Sequence, residues 1–323
     1  MNLPLVSVLI PLYNEEKLIA ETIRRCLQQS YTNIEIIVVD DHSTDQSYHI
    51  AKSFEGERVH VFKNPKKGVS SARNYAFIQA HGDYIKYLDA DDFFTPELIE
   101  KQVARVLEED GAGSTVAYCT LQIYNPPIPP KTVPTYLTDD YQHAMDYVID
   151  ALKTKTYNNI QPPVFLFPRE VIVKANGWNE EHSISEDVEF VVKALSFSQK
   201  VKFVSDEYAV WRILNDGQHL HENVNVDNQK SDLDIHFGIA KTVLDYRDDE
   251  QTREICSNYL SYRIFNRFEA YYPIINIIQK KFEDMGLKWL KYENHHFGVL
   301  YRVLGWKRTT KLILDIKKLF KKN

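Results

Sequence analysis

The chain has 323 residues, 44% hydrophobic and 26% charged, a composition that suits one large folded domain with an appendage or two modest domains. Its formal net charge of -6 lacks the basic surplus that a nucleic-acid-binding surface usually shows, so no nucleic-acid partner is expected. Cys26, Cys119 and Cys256 are far apart, odd in number and form no CxxC, which argues against a disulfide framework or zinc site and fits a reducing, cytoplasmic setting. No run of 18 apolar residues occurs, so no transmembrane helix is expected. The apolar opening Leu3–Leu12 has no basic flank and runs straight into Asn14-Glu15-Glu16, which reads as a buried strand rather than a signal peptide.

Val6–Leu12 is a continuous apolar run rich in Val and Ile, the pattern of a strand covered on both faces. Glu15–Gln29 follows with Leu18, Ile19, Ile23, Cys26 and Leu27 at helical spacing. Ile34–Val39 reads as a second strand, and Ser43 is placed to cap a helix from Asp45 to about Phe54. Val59–Phe62 is a third strand, Val69–Ala80 a helix ending near Gly82, and Tyr84–Leu88 a fourth strand that closes on Asp89-Ala90-Asp91-Asp92. Four alternations of strand and helix imply a parallel sheet flanked by helices. Ligands of such sheets sit beyond the carboxyl ends of the strands. Three of the four strands end there in polar residues: Tyr13-Asn14-Glu15, Asp40-Asp41 and Asp89-Ala90-Asp91.

Further on, Pro96–Glu109 reads as a helix with Pro in its first turn, and Thr115–Tyr124 as a strand. Asn125–Pro134, with five prolines in ten residues, reads as an extended connector. Gln161–Ile213 mixes strands with one helix, Glu186–Ser196, and the chain turns mainly helical from Asp232. The expected division is 1–228 and 229–323. At the tail, Leu312, Ile313, Ile316, Leu319 and Phe320 share a helical face ringed by Lys311, Lys317, Lys318, Lys321 and Lys322. A basic amphipathic helix over 309–322 either lies on an anionic membrane surface or docks on its own domain.

Two carboxylates one residue apart at a strand end, Asp89 and Asp91, can reach a hard divalent cation whose shell is completed by substrate phosphates. The bland alternative is a solvated acidic turn, with Asp92 capping the helix near Pro96. Asp40 and Asp41 can accept from a base N–H or a ribose hydroxyl, or can serve as turn chemistry. Arg73 is placed to meet a phosphate or to pair with a nearby carboxylate. Glu186-Asp187 opens a helix, where carboxylates either cap the backbone or, beside a metal–diphosphate site, take a proton from an acceptor hydroxyl.

These segments together resemble the family 2 glycosyltransferases. Val6-Ser7-Val8-Leu9-Ile10-Pro11-Leu12-Tyr13-Asn14-Glu15 is similar to that family's opening, and Val38-Val39-Asp40-Asp41-His42-Ser43-Thr44-Asp45 to its second motif. Gly68-Val69-Ser70-Ser71-Ala72-Arg73-Asn74 resembles the third, Tyr87-Leu88-Asp89-Ala90-Asp91-Asp92 the DxD segment, and Gly177-Trp178-Asn179 with Ser185-Glu186-Asp187-Val188-Glu189-Phe190 the acceptor-side motif. The resemblance covers about residues 5–215. It implies an α/β GT-A fold, Rossmann-like with a mostly parallel sheet and flanking helices, followed by a mainly helical C-terminal region. It also implies inverting transfer from a nucleotide sugar, usually a UDP-sugar, with Mn²⁺ or Mg²⁺ as cofactor.

Carried over by position, Pro11, Tyr13, Glu15 and Asp41 hold the uridine with Asp40 beside them, and Arg73 fixes the nucleotide pocket. Asp89 and Ala90 contact the donor. Asp91 with Asp89 binds the metal, Gly177 and Trp178 face the acceptor, and Asp187 is the base supported by Glu186. Many relatives carry His two residues after the Arg of the segment matching Trp211-Arg212; here that position is Leu214, and His219 stands in as third metal ligand. The QxxRW signature of processive synthases is absent, so a single addition is expected. The acceptor expected is a surface glycan or lipid-linked saccharide at the inner face of a bacterial membrane, with a lipid phosphate as the alternative. The helical C-terminal third is expected to shape acceptor choice or to pack in a homodimer. A nicotinamide oxidoreductase needs G-x-G-x-x-G after its first strand, where this chain reads Pro-Leu-Tyr-Asn-Glu-Glu, and no Walker A sequence occurs. The remaining rival is a non-catalytic nucleotide-sugar-binding module.

Overall fold

The computed structural model describes residues 3–108, 114–133, 137–154, 160–182, 184–213, 226–266, 271 and 274–289. The chain divides into two compact units, Met1–Asn223 and Val224–Asn323.

The first unit is built on one mixed sheet in the order β3-β2-β1-β4-β8-β6-β9-β5, with β7 added beside β6. Its parallel half is β1 (Val6–Leu12), β2 (Ile34–Asp40), β3 (Val59–Lys63) and β4 (Tyr84–Tyr87). All seven residues of β1 and of β2 are buried, as an uninterrupted Val/Ile run requires. Helices α1 (Ile19–Leu27), α2 (Ser47–Lys52) and α3 (Val69–Gln79) connect these strands, and α3 packs on β1 and β2.

The second half of the sheet comprises β5 (Phe93–Phe94), β6 (Thr115–Tyr124), β7 (Lys131–Thr132), β8 (Phe165–Pro168) and β9 (Lys200–Arg212). Here β8 joins the halves, antiparallel to both β4 and β6, while β6 and β9 form a long parallel ladder. Most paired residues of the whole sheet thus lie in parallel ladders, as expected. Lys86, buried in β4 at this junction, donates to the Pro163 carbonyl at 2.7 Å and the Phe165 carbonyl at 3.3 Å. Helices α4 (Leu98–Leu107), α5 (Ala144–Lys153), α6 (Arg169–Lys174) and α7 (Glu186–Ser196) flank this half.

Several expectations need correction. The first helix begins at Ile19, because residues 15–18 form a turn in which the Leu18 and Ile19 N–H groups both bond the Glu15 carbonyl. Ser43 does not cap α2, which starts at Ser47; its hydroxyl instead accepts from the Asn14 N–H at 3.1 Å. Asp92 does not cap α4, which starts at Leu98; it accepts from the Arg212 N–H at 2.8 Å. The proline-rich connector contains the short strand β7, and α5 fills a stretch for which no element was expected.

The described residues of the second unit are mainly helical, as expected: α8 (Val226–Tyr246), α9 (Glu250–Asn266) and α10 (Ile275–Asp284). A buried polar link joins α8 to α9, where Arg263 Nε donates to His236 Nε2 at 2.9 Å and Tyr259 lies 2.6 Å from His236 Nδ1. No helix among the described residues is long and apolar enough to cross a membrane. The tail 309–322 and His219 lie outside the described residues.

Candidate active site

The carboxyl ends of β1, β2 and β4 meet because the ladders are parallel and in near register. Leu12 pairs with Asp40 and Leu9 with Tyr87, and the backbone continues the pairing past the strands: Asp41 N–H bonds the Leu12 carbonyl at 2.7 Å and Leu88 N–H the Leu9 carbonyl at 3.0 Å. The loops after β1 and β2 are then laced together. Asn14 Oδ1 accepts from the Thr44 N–H at 2.8 Å, and Ser47 Oγ accepts from the Glu15 N–H at 2.7 Å. Asn14 and His42 both take positive φ (52° and 64°), a conformation Asn and His tolerate better than most residues.

Within this cleft the two aspartates have different surroundings. Both oxygens of Asp41 accept from the Gly68 N–H, at 2.9 and 3.0 Å, and Oδ1 also accepts from Asn64 at 2.7 Å. Gly68 turns at φ 135°, which only glycine adopts at ease. Asp40 is equally buried, yet its Oδ1 has no hydrogen-bond partner among the described residues. A buried carboxylate oxygen left unpaired costs free energy unless a ligand or water supplies a donor. Tyr13 stands exposed at the rim with Lys67 Nζ 5.5 Å from its ring centre, and Glu15 is half-buried. Pro11 is buried within β1 opposite Val39.

The centre of the site is Arg73 on α3. Its side chain is 5% exposed and reaches three carboxylates: Asp89 Oδ1 at 2.9 Å, Asp187 Oδ1 at 3.0 Å and Glu186 Oε1 at 3.5 Å. It also lies over the Trp178 ring at 4.2 Å. Burial disfavours the guanidinium charge, but Asp187, Asp89 and Glu186 outweigh it and hold the group charged. The reverse holds for Asp187. Burial is the largest influence and the charges of Glu186 and Asp89 add to it, so its carboxyl is pushed up to about 7 despite the opposing pull of Arg73. The side chain keeps 29% exposure, and that solvent contact limits the desolvation part of the rise. Asp89 and Asp187 thus come from elements almost a hundred residues apart and share one cation.

The segment before α7 is braced from α3. Asn74 Oδ1 accepts from the Trp178 N–H at 2.8 Å, and Asn74 Nδ2 donates to the Trp178 carbonyl at 2.9 Å and to Glu180 at 3.1 Å. Gly177 sits at φ 61°, and a Cβ there would fall 2.5 Å from Asn74 Oδ1. Trp178 is 3% exposed and stacks on Phe190 of α7 with centroids 4.0 Å apart and 6° between planes. The Trp178 ring is thus the floor beneath Arg73 and the base of α7. Asn74, within a motif noticed in the sequence but given no role there, is the residue that holds this floor.

The DxD loop follows β4. Asp89 is 43% exposed, Asp91 half-buried, and Ala90 and Asp92 buried. Burial and the charges of Asp91 and Asp89 push the Asp92 carboxyl well above the usual carboxylate range. Among the described residues, no cluster of three His, Cys, Asp or Glu side chains is arranged to hold a metal. The donor set at Asp89 and Asp91 is oxygen only, which fits Mn²⁺ or Mg²⁺, since Mg²⁺ commonly takes one or two carboxylates and completes its shell with substrate phosphates and water.

Residues 7–161 match the Glycosyl transferase family 2 model. An uncharacterized glycosyltransferase of Haemophilus influenzae is 40% identical over 127 residues, covering 38% of this chain and 51% of that protein. The Escherichia coli UDP-Glc:alpha-D-GlcNAc-diphosphoundecaprenol beta-1,3-glucosyltransferase WfaP is 41% identical over 100 residues, covering 31% of this chain and 40% of its own. The chain thus spans about half the length of these curated relatives. In overall fold it is similar to S. aureus TarS 1-349 in complex with UDP-GlcNAc, at TM-score 0.65 and 24% identity, over 83% of this chain and 75% of that one. That likeness is one of fold: the first unit has the GT-A architecture. Residues 7–161, just under half of the chain, are thus what places the first unit with glycosyl transferase family 2.

Proposed function

We propose that the protein transfers a sugar from a UDP-sugar to a hydroxyl of a lipid-linked or growing surface glycan, with inversion at the anomeric carbon. The observation that carries this reading is the Arg73 cluster. It joins Asp89, at the strand end where the nucleotide-sugar would lie, to Asp187, at the start of the helix facing the acceptor side. The nucleotide would stack against exposed Tyr13, and the unpaired Asp40 Oδ1 suits the imide N–H of uracil. This makes Asp40 the base reader, with Asp41 occupied in shaping the Gly68 loop.

Asp187 takes the acceptor hydroxyl proton as that oxygen bonds the anomeric carbon, and the bond from that carbon to the diphosphate oxygen breaks, releasing UDP. Asp91, with Asp89, would hold Mn²⁺ or Mg²⁺, which when bound neutralises charge on the departing diphosphate. A base must be deprotonated yet not too weak, and a carboxyl raised to about 7 meets both demands near neutral pH. The lipid-linked acceptor is favoured by the name of the E. coli relative, which places its acceptor sugar on diphosphoundecaprenol. The basic segment 309–322 would bring the enzyme to the inner membrane surface where such lipids lie.

Isothermal titration with UDP and GDP, each with and without Mn²⁺, tests the donor site. Expected is UDP binding that Mn²⁺ strengthens and Asp91→Ala weakens. Preference for GDP would overturn the UDP-sugar assignment, and no nucleotide binding by folded protein would leave a non-catalytic module as the better reading.

A further inference from the structure

The DxD loop is tied down by a residue on another element. Thr22, on α1, is fully buried. Its hydroxyl lies 2.7 Å from the Ala90 carbonyl and 3.1 Å from the Asp92 carbonyl. Its neighbours Ile19, Ile23 and Cys26 are the apolar residues that dock α1. A hydroxyl among them is costly to bury unless it is bonded, and here both of its contacts go to one loop. Asp91 is the residue between the two tied carbonyls.

A second tie comes from the same helix. Glu21 Oε2 accepts from Arg212 Nη1 at 3.2 Å, and the Arg212 N–H donates to Asp92 Oδ1 at 2.8 Å. Within the loop, the Asp92 N–H bonds the Asp89 carbonyl at 3.1 Å. The loop is therefore clamped at its Ala90 and Asp92 carbonyls by Thr22, at the Asp92 carboxylate by the Arg212 backbone, and across its own turn.

We infer that Thr22 is a positioning residue for donor binding: its hydroxyl gathers the Ala90 and Asp92 carbonyls and so fixes the backbone that presents Asp91 to a metal–diphosphate group. This rests on the donor site proposed above. Thr22 touches neither donor nor metal and acts through the loop alone. Outer-shell groups that orient metal ligands typically matter by roughly 10–100-fold in metal affinity or activity.

The test compares wild type, Thr22→Val and Thr22→Ser. Valine keeps the shape and removes the hydroxyl; serine keeps the hydroxyl. UDP affinity is measured by calorimetry with and without Mn²⁺, and amide hydrogen exchange at Asp92 is followed without ligand. Expected for Thr22→Val is UDP binding about 10-fold or more weaker in Mn²⁺, unchanged UDP affinity without metal, and faster exchange at Asp92, with Thr22→Ser restoring all three. A purely structural role would lower thermal stability but leave the Mn²⁺-dependent part of UDP binding intact, and that result overturns the inference. Should wild type show no Mn²⁺-enhanced UDP binding, the donor-site reading itself fails, while unchanged Asp92 exchange in Thr22→Val would separately overturn the anchoring role. If Thr22→Val does not fold, Thr22→Ala carries the same comparison.

Discussion

Asp187→Asn is expected to lower kcat by about 10²–10⁴-fold, the usual cost of losing a general base, while leaving donor KM and folding nearly unchanged. The amide is isosteric, can still bond Arg73, and so removes proton affinity without opening a gap. The pH profile gives a second signature. Because the carboxyl is pushed up to about 7, wild-type kcat/KM is expected to rise with pH through about 7 and then level, whereas the residual activity of the Asn variant lacks that limb. A variant with full activity, or a wild-type profile flat from pH 5 to pH 8 on the pH scale of such assays, would remove Asp187 from the base role.

Arg73→Met is expected to damage both stability and catalysis. Removing one partner of a buried ion cluster costs about 3–5 kcal/mol because the charges left behind are uncompensated. Asp89 at 43% exposure and Asp187 at 29% can recover some hydration, so the lower end applies. For a unit of this size, about 3 kcal/mol corresponds to a fall in Tm of roughly 10 °C. The sign with pH follows from Asp187. Its folded value lies above its unfolded one, so its contribution is full at low pH and is lost as pH rises through about 7. Without Arg73 the folded value rises further, so the deficit against wild type should stay level in acid and widen as pH rises through and above about 7 in thermal melts. Activity should fall further than stability explains, because Asp89 and Asp187 lose their shared anchor. A melt identical to wild type would mean that the cluster does not bear on folding.

Much of the parallel half was legible because each signal is local. Val6–Leu12 and Ile34–Val39 are unbroken Val/Ile runs, and burial of all their positions is what such runs encode. That the polar residues ending them lie together was readable because parallel strands bring like ends together. The second half was less legible. Strand β8 is the four-residue segment Phe-Leu-Phe-Pro, and its antiparallel place between β4 and β6 depends on long-range pairing. Helix α5 did have a signal, since Met145, Val148 and Leu152 recur at helical spacing and are buried, but it follows the proline-rich connector.

In the site, each of Arg73, Asp89 and Asp187 was identifiable by motif, and a salt bridge from Arg73 was one of its two readings. That a single guanidinium serves three carboxylates could not be read, because Asp187 is 114 positions from Arg73 and only the sheet order brings α7 beside α3. Thr22 was hidden for a different reason. In the sequence it is a small residue on the apolar face of α1, and only the packed loop gives its hydroxyl partners.

The most direct test of the account is a transfer reaction followed by NMR. The purified protein is incubated with Mn²⁺, a panel of UDP-sugars and a lipid-diphosphate-linked saccharide acceptor, and the new linkage is read from its anomeric coupling. Expected is UDP release coupled to one added sugar, with anomeric configuration opposite to that of the donor and with loss of product in Asp187→Asn. A product that retains the donor configuration, or transfer undiminished in Asp187→Asn, would contradict it.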